Sequence, residues 1–223
     1  MLQRFLRGVR EGAKLFNGRP DELPDTRAIF AFDGSGAAAA TYEATVHTDR
    51  EWGGRSRATF RVGNPGASGS PVCGVFEGFI DRRRSAVGPG ADGDGVTGRF
   101  GFAMLQLRRV DDDVTDCEDY DALVLRANSD GRLYAVSLRN SVPLAPNLAY
   151  QGFLNASSGD GWRDFELPFT SFVATRGGRN LDQPRILDIA RFGSLSVAVA
   201  DDAEGPFRIE LAGIDATREP GQL

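Results

Sequence analysis

The stretch Tyr120–Asn140, YDALVLRANSDGRLYAVSLRN, limits the possible fold more than any other part of the chain. Two runs of strand composition, Tyr120–Ala127 and Leu133–Leu138, flank Asn128-Ser129-Asp130-Gly131. Val, Leu and Tyr suit a pleated, half-buried surface, and Asp-Gly is a strong turn signal. The spacing predicts a hairpin with a short loop, longer than the minimal two residues, as the central pair of an antiparallel sheet. Nothing in the stretch is chemically reactive, which points to binding or scaffolding rather than catalysis.

The rest of the chain repeats that grammar. Candidate strands are Ala28–Phe32, Ala58–Val62, Val72–Ile80, Arg99–Arg108, Leu148–Leu154, Trp162–Leu167, Ser194–Ala200 and Phe207–Ile214. With the central pair they make about ten, without long helical patterns between them, which predicts an all-β antiparallel sandwich or jelly roll. Helical turns are expected near Pro168–Ser171 and Asp188–Phe192. The 28 glycines and 11 prolines fit a turn-rich chain. One domain over 28–217, with a tail at 218–223, is the expected organisation.

Residues 1–27 read differently. Leu2, Phe5, Leu6, Val9, Ala13 and Phe16 follow helical spacing, with Arg4, Arg7, Arg10 and Lys14 mainly on other faces. Such an amphipathic helix resembles a mitochondrial presequence or an arm lying on a partner or membrane surface. Glu11 and the lack of serine favour the arm, with Leu2, Phe5 and Val9 as its contact residues. Gly18-Arg19-Pro20 and Leu23-Pro24 would end it.

Charge and residue counts remove several function classes. The net charge of −5 argues against general nucleic-acid binding. No run approaches the roughly 20 apolar residues that cross a bilayer. The single histidine, His47, leaves little for metal sites or a histidine relay, and no Gly-x-Ser-x-Gly elbow accompanies it. Gly34-Ser35-Gly36 lacks the continuation of a phosphate loop. Two cysteines, Cys73 and Cys117, make neither a disulfide framework nor a metal site. The acidic run Asp111–Asp121 and Asp92-Gly93-Asp94-Gly95 lack full calcium-loop spacing. No cofactor or metal is expected, and the chain is read as a non-enzyme.

The binding candidates are few. Trp52 precedes Gly53-Gly54 and so belongs in a loop, a partner anchor or sugar platform, with Arg55 and Ser56 able to add directional hydrogen bonds. Arg82, Arg83 and Arg84 close a strand and open the Gly- and Pro-rich segment Ser85–Gly98; they fit either an acidic or anionic partner or a solvated strand end. Trp162, with Phe165, Leu167 and Phe169 nearby, is expected in the core. Tyr42, Tyr134 and Tyr150 are the remaining possible sugar platforms. Arg126, Arg132 and Arg139 are left without an assigned side.

Several stretches together resemble the complex I intermediate-associated protein 30 family. Thr48–Ser56 is similar to its acidic-to-Gly-Gly-x-Ser signature, and Gly74–Ile80 with Gly98–Met104 to its paired Gly-containing strands. Tyr120–Arg139 resembles its core hairpin, although Ser129 stands where the family commonly has glycine. Trp162–Phe169 with Phe172 resembles its Trp-to-Pro-Phe segment, and Gly205–Leu211 its closing strand. The matches keep family order from Ile29 to Ala216. The resemblance implies a galactose-binding-like jelly roll and a non-catalytic scaffold for assembling mitochondrial respiratory complex I, or a descendant retained as its accessory subunit. It further implies membrane-arm subunits or assembly intermediates as partners, on the matrix side of the inner membrane, with peripheral membrane contact and no small-molecule ligand. A carbohydrate-binding module is the alternative that the same architecture offers.

Overall fold

The computed structural model describes residues 24–32, 42–64, 72–83, 100–110, 116–141, 147–155, 161–182, 185, 187–199 and 201–218. The N-terminal helix, with Leu2, Phe5 and Val9, lies outside them, as do Arg84, Gly34–Gly36, Asp92–Gly95 and Asp111–Asp113.

Two antiparallel sheets face each other. One holds β3 (Arg57–Gly63), β4 (Cys73–Ile80), β13 (Gly205–Thr217), β6 (Ala122–Ser129) and β9 (Trp162–Pro168), in that order, with β1 (Thr26–Ala31) added along β13. The other runs β11 (Arg179–Asn180), β10 (Val173–Arg176), β8 (Leu148–Asn155), β7 (Leu133–Asn140), β12 (Phe192–Val199), β5 (Ala103–Arg109) and β2 (Tyr42–Thr48). The all-β jelly roll expected from the sequence is the fold. Short 3-10 turns over Phe169–Ser171 and Ile189–Arg191 fall where helical turns were anticipated.

Period-two alternation builds the core. On β13, Phe207, Ile209 and Leu211 point inward, and a bulge between Leu211 and Gly213 resets the parity. Ile214 and Ala216 therefore face the same interior. Leu123, Leu125 and Ala127 of β6 meet Tyr134, Val136 and Leu138 of β7 within one buried cluster.

That arrangement corrects the hairpin. β6 pairs with β13 and β9, whereas β7 pairs with β12 and β8, so the two strands lie in opposite sheets. Gly131, at φ 90°, turns the chain from one sheet to the other. The Asp130 carboxylate fixes the arch by accepting from Arg132 N (3.0 Å), Tyr134 Oη (3.1 Å) and Arg208 N (2.7 Å). An arch and a hairpin share one composition, because both join two half-buried strands through Asp-Gly; only the pairing differs. β4 and β5 are likewise in different sheets rather than paired.

Trp162 is a second correction. In the β6–β9 register Leu167 sits opposite Leu123, facing in, so Trp162, five residues earlier, takes the opposite face. It is half-buried and outside the core cluster, while Phe165 packs against that cluster under Arg163, 5.1 Å from the ring centre. The arginines left unassigned part company: Arg126 meets Asp164 at 3.3 Å, Arg132 holds Asp201, and Arg139 is exposed on the other sheet.

Candidate functional site

Local chemistry first builds a rigid corner after β2. The Thr48 hydroxyl accepts from Arg50 N at 3.4 Å and starts a 3-10 turn over Asp49–Trp52. Gly53 ends that turn at φ 87°. Asp49 is fully buried, and a buried carboxylate survives only with partners. Its oxygens accept from Ser56 N and Ser56 Oγ, both at 2.9 Å, and from Gly101 N. Gly54 is packed against it, and a Cβ there would lie 2.2 Å from Asp49 Cγ.

Ser56 passes the connection on. Its Oγ accepts from Asp81 N at 3.1 Å, joining the turn to the end of β4. The Asp81 carboxylate takes Arg83 Nε at 2.9 Å and Arg83 Nη2 at 2.8 Å, a bidentate pair. Arg55 Nε stands 3.6 Å from the same carboxylate. These hydrogen bonds, first those of Arg83, hold the Asp81 carboxyl down at about 2.

Residues 201–205 are anchored from both sides. Arg82 Nη1 donates to Asp202 O at 2.7 Å. Arg132 Nε donates to Asp201 Oδ2 at 2.9 Å, and its other nitrogens donate to the carbonyls of Ala203, Gly205 and Pro206. The Arg132 bonds keep Asp201 below the usual carboxylate range.

The structure thus brings Trp52, Arg55, Arg82 and Arg83 into one corner. Trp52 leans on Phe102, ring centres 5.6 Å apart, and remains 45% exposed. The three guanidinium groups have carboxylate partners in the chain, yet Arg55, Arg82 and Arg83 are 52%, 51% and 65% exposed. An aromatic shelf beside half-exposed guanidinium groups can anchor a protein surface. Reading residue types alone missed Asp49, Asp81 and Asp201, which set the geometry. Asp49 and Ser56 were within a motif already singled out, but their seven-residue separation follows no periodic rule.

The other candidates disperse. Tyr134 and Tyr150 are buried in the core, and Tyr42 packs edge-on against Phe30 and Phe32, so Trp52 alone remains as an exposed platform from the original four. His47 Nδ1 lies 3.2 Å from Glu51 Oε1 on the edge strand. Cys73 and Cys117 are free and buried; burial pushes the thiols up to about 11 and about 12. No group of three metal-ligating side chains comes together among the described residues.

Against that geometry the relationships are decisive. The family model for complex I intermediate-associated protein 30 matches residues 31–211. The chain belongs to the complex I intermediate-associated protein 30 family. The complex I intermediate-associated protein 30 of Drosophila melanogaster, named as mitochondrial, is 27% identical over 239 residues, covering 99% of this chain and 76% of the fly protein. The mouse protein of that name is 27% identical over 107 residues, covering 47% of this chain and 33% of its own length. Among solved structures, a family 11 carbohydrate-binding module from a Clostridium thermocellum cellulase superposes with a TM-score of 0.55 at 10% identity, covering 89% of this chain and 97% of the module. A family 30 carbohydrate-binding module gives 0.55 at 11% identity, covering 91% of each chain. At such identities the likeness is one of fold. Within Thr48–Ser56, Gly54 and Ser56 are the residues that Asp49 demands, and Gly53 the one that the turn's positive φ demands.

Proposed function

We propose that this protein is a non-catalytic scaffold in the assembly of mitochondrial respiratory complex I, working on the matrix side of the inner membrane. The observation that carries this reading is the family match across residues 31–211. A stiff jelly roll presents the Trp52 corner to membrane-arm subunits or their precursors, and the amphipathic segment at 1–27 adds a peripheral contact. Retention as an accessory subunit is the second form of the same role. Burial of both thiols speaks for a role without cysteine chemistry.

Affinity purification from native mitochondria tests the proposal. Recovery with mature complex I marks a permanent subunit, and recovery with precursors alone marks a transient factor. Finding neither overturns the reading. The carbohydrate-binding alternative rests on fold likeness and Trp52; with Tyr134 and Tyr150 buried, it has lost most of its aromatic platform.

A further inference from the structure

The solvent-facing side of the seven-stranded sheet is arranged in rows set by the register. Residues between them, such as Leu105, Val136, Leu138, Leu195 and Val197, point into the core. One outer row starts at His47 on β2 and continues through the apolar Met104, Ala198, Ala135 and Phe153 across β5, β12, β7 and β8. Phe153 is 56% exposed and Leu133, on the same face, 40%. The next row is uncharged: Thr45, Gln106, Ser196, Ser137 and Gln151, ending at the exposed Val173 of β10. There Gln151 Nε2 donates to Ser137 Oγ at 3.2 Å. The third row is Glu43, Arg108, Ser194 and Arg139.

Charge separates this face from its opposite. The chain is acidic overall, at −5. On the outer side of the six-stranded sheet Arg61, Arg126 and Arg208 each hold a carboxylate, with Arg57 at the rim the exception. Arg108 and Arg139 are exposed and make no ion pair among the described residues. An apolar row that ends in the exposed Phe153, beside two exposed arginines of which Arg108 faces Glu43 across the strands, signals an interaction surface, and the arginines call for an acidic partner.

The spacing selects the shape of that partner. Alternate residues along a strand are about 7 Å apart, so the apolar and arginine rows lie roughly 13 Å from each other. An α-helix with its side chains is about 10–12 Å across, and one seated over the middle row touches both flanks. From Met104 to Phe153 is three strand spacings, about 14 Å. Some nine helical residues span it. The side chains along the floor, Ala135, Ala198, Ser137 and Ser196, are small, and the two serines are buried among their neighbours. We propose that this face docks an amphipathic helix of a partner protein, with its apolar stripe along Met104–Phe153 and an acidic flank toward Arg108 and Arg139.

The proposal does not depend on which complex the partner belongs to, so a failed recovery of complex I subunits leaves it standing. The probe is a labelled synthetic helix of about 18 residues, with Leu at i, i+3, i+4 and i+7 and Glu along one flank, titrated with the full chain by fluorescence anisotropy. Saturable binding is expected, weakened at least about ten-fold by Phe153→Ser and by Arg108→Glu with Arg139→Glu, and unchanged by Val62→Ser on the other sheet. A Lys-flanked peptide should bind the wild type at least about ten-fold more weakly and recover on the double charge reversal. Absence of saturable binding of the Glu peptide, equal binding of both peptides, or indifference to Phe153→Ser in a variant with native circular dichroism would overturn it. So would saturable binding of a β-1,3-1,4-linked tetrasaccharide, or of phosphatidylserine vesicles, lost in Phe153→Ser while the peptide is ignored.

Discussion

Ser56 grips Asp49 twice, giving its backbone N–H to Oδ1 and its hydroxyl to Oδ2, each at 2.9 Å across seven residues of chain. The carboxylate thereby sits buried without a cationic partner in contact among the described residues. Its donors are one hydroxyl and two backbone amides, those of Ser56 and Gly101. This is the local rule behind the turn that positions Trp52.

Asp49→Ala should destabilise the protein by about 2–4 kcal/mol, since it strands three buried donors. Ser56→Ala removes one partner and should cost about 1–2 kcal/mol. Gly54→Ala should exceed Ser56→Ala, because the added Cβ would meet the Asp49 carboxylate at 2.2 Å. Urea titration followed by circular dichroism measures all three; a Gly54→Ala midpoint equal to wild type would contradict the steric account.

Acid should loosen the corner through Asp81. Its folded pKa is depressed to about 2, below the usual carboxylate value, so its stabilisation is fully present above about pH 4. That contribution is lost as the pH falls toward 2, when protonation releases Arg83. Asp81→Asn should therefore flatten the fall in thermal midpoint between about pH 4 and pH 2. An unaltered acid slope would show that Asp81 carries none of it.

Neither thiol should react in the folded protein. Burial raises Cys73 to about 11 and Cys117 to about 12, leaving little thiolate at neutral pH and little access to it. An Ellman assay should show both groups slow in buffer and fast in denaturant. Rapid labelling of folded protein would mean that the sandwich opens readily near one of them.

Trp52→Ala should cost about 1–2 kcal/mol, because the ring is half-buried and leans on Phe102. The same substitution should reduce recovery of complex I components from mitochondria, compared with the wild-type chain at equal loading. Undiminished recovery would move the anchor away from this corner.

Alternating apolar residues and turn chemistry disclosed most of the strands, because side-chain period is a local property. Strand β2 escaped notice: it is an edge, and YEATVHT buries little of itself. The brief β10 and β11, at four and two residues, are too short to show a pattern. Partners were less legible than strands. Tyr120–Asn140 reads identically as a hairpin or an arch, and only the placement of β13 between β4 and β6 decides. At the site, residue type marked Trp52 and the arginines but not their carboxylates, since the Arg55–Asp81, Arg82–Asp202 and Arg132–Asp201 contacts join segments remote in sequence. The outer rows of the seven-stranded sheet were invisible for the same reason: each row draws single residues from several strands.

The most C-terminal strand of the two sheets, β13, occupies the middle of its sheet and hydrogen-bonds to β1, β4 and β6. A nascent chain halted before Gly205 has β1 with no strand to pair with, although Thr26 left the ribosome long before. Such topology, dominated by distant pairings, folds slowly and leaves sheet edges open in the meantime. Quality control would therefore read a truncation before Gly205 as a missing half of the molecule, and a stop codon there should yield a protein that is degraded rather than weakened.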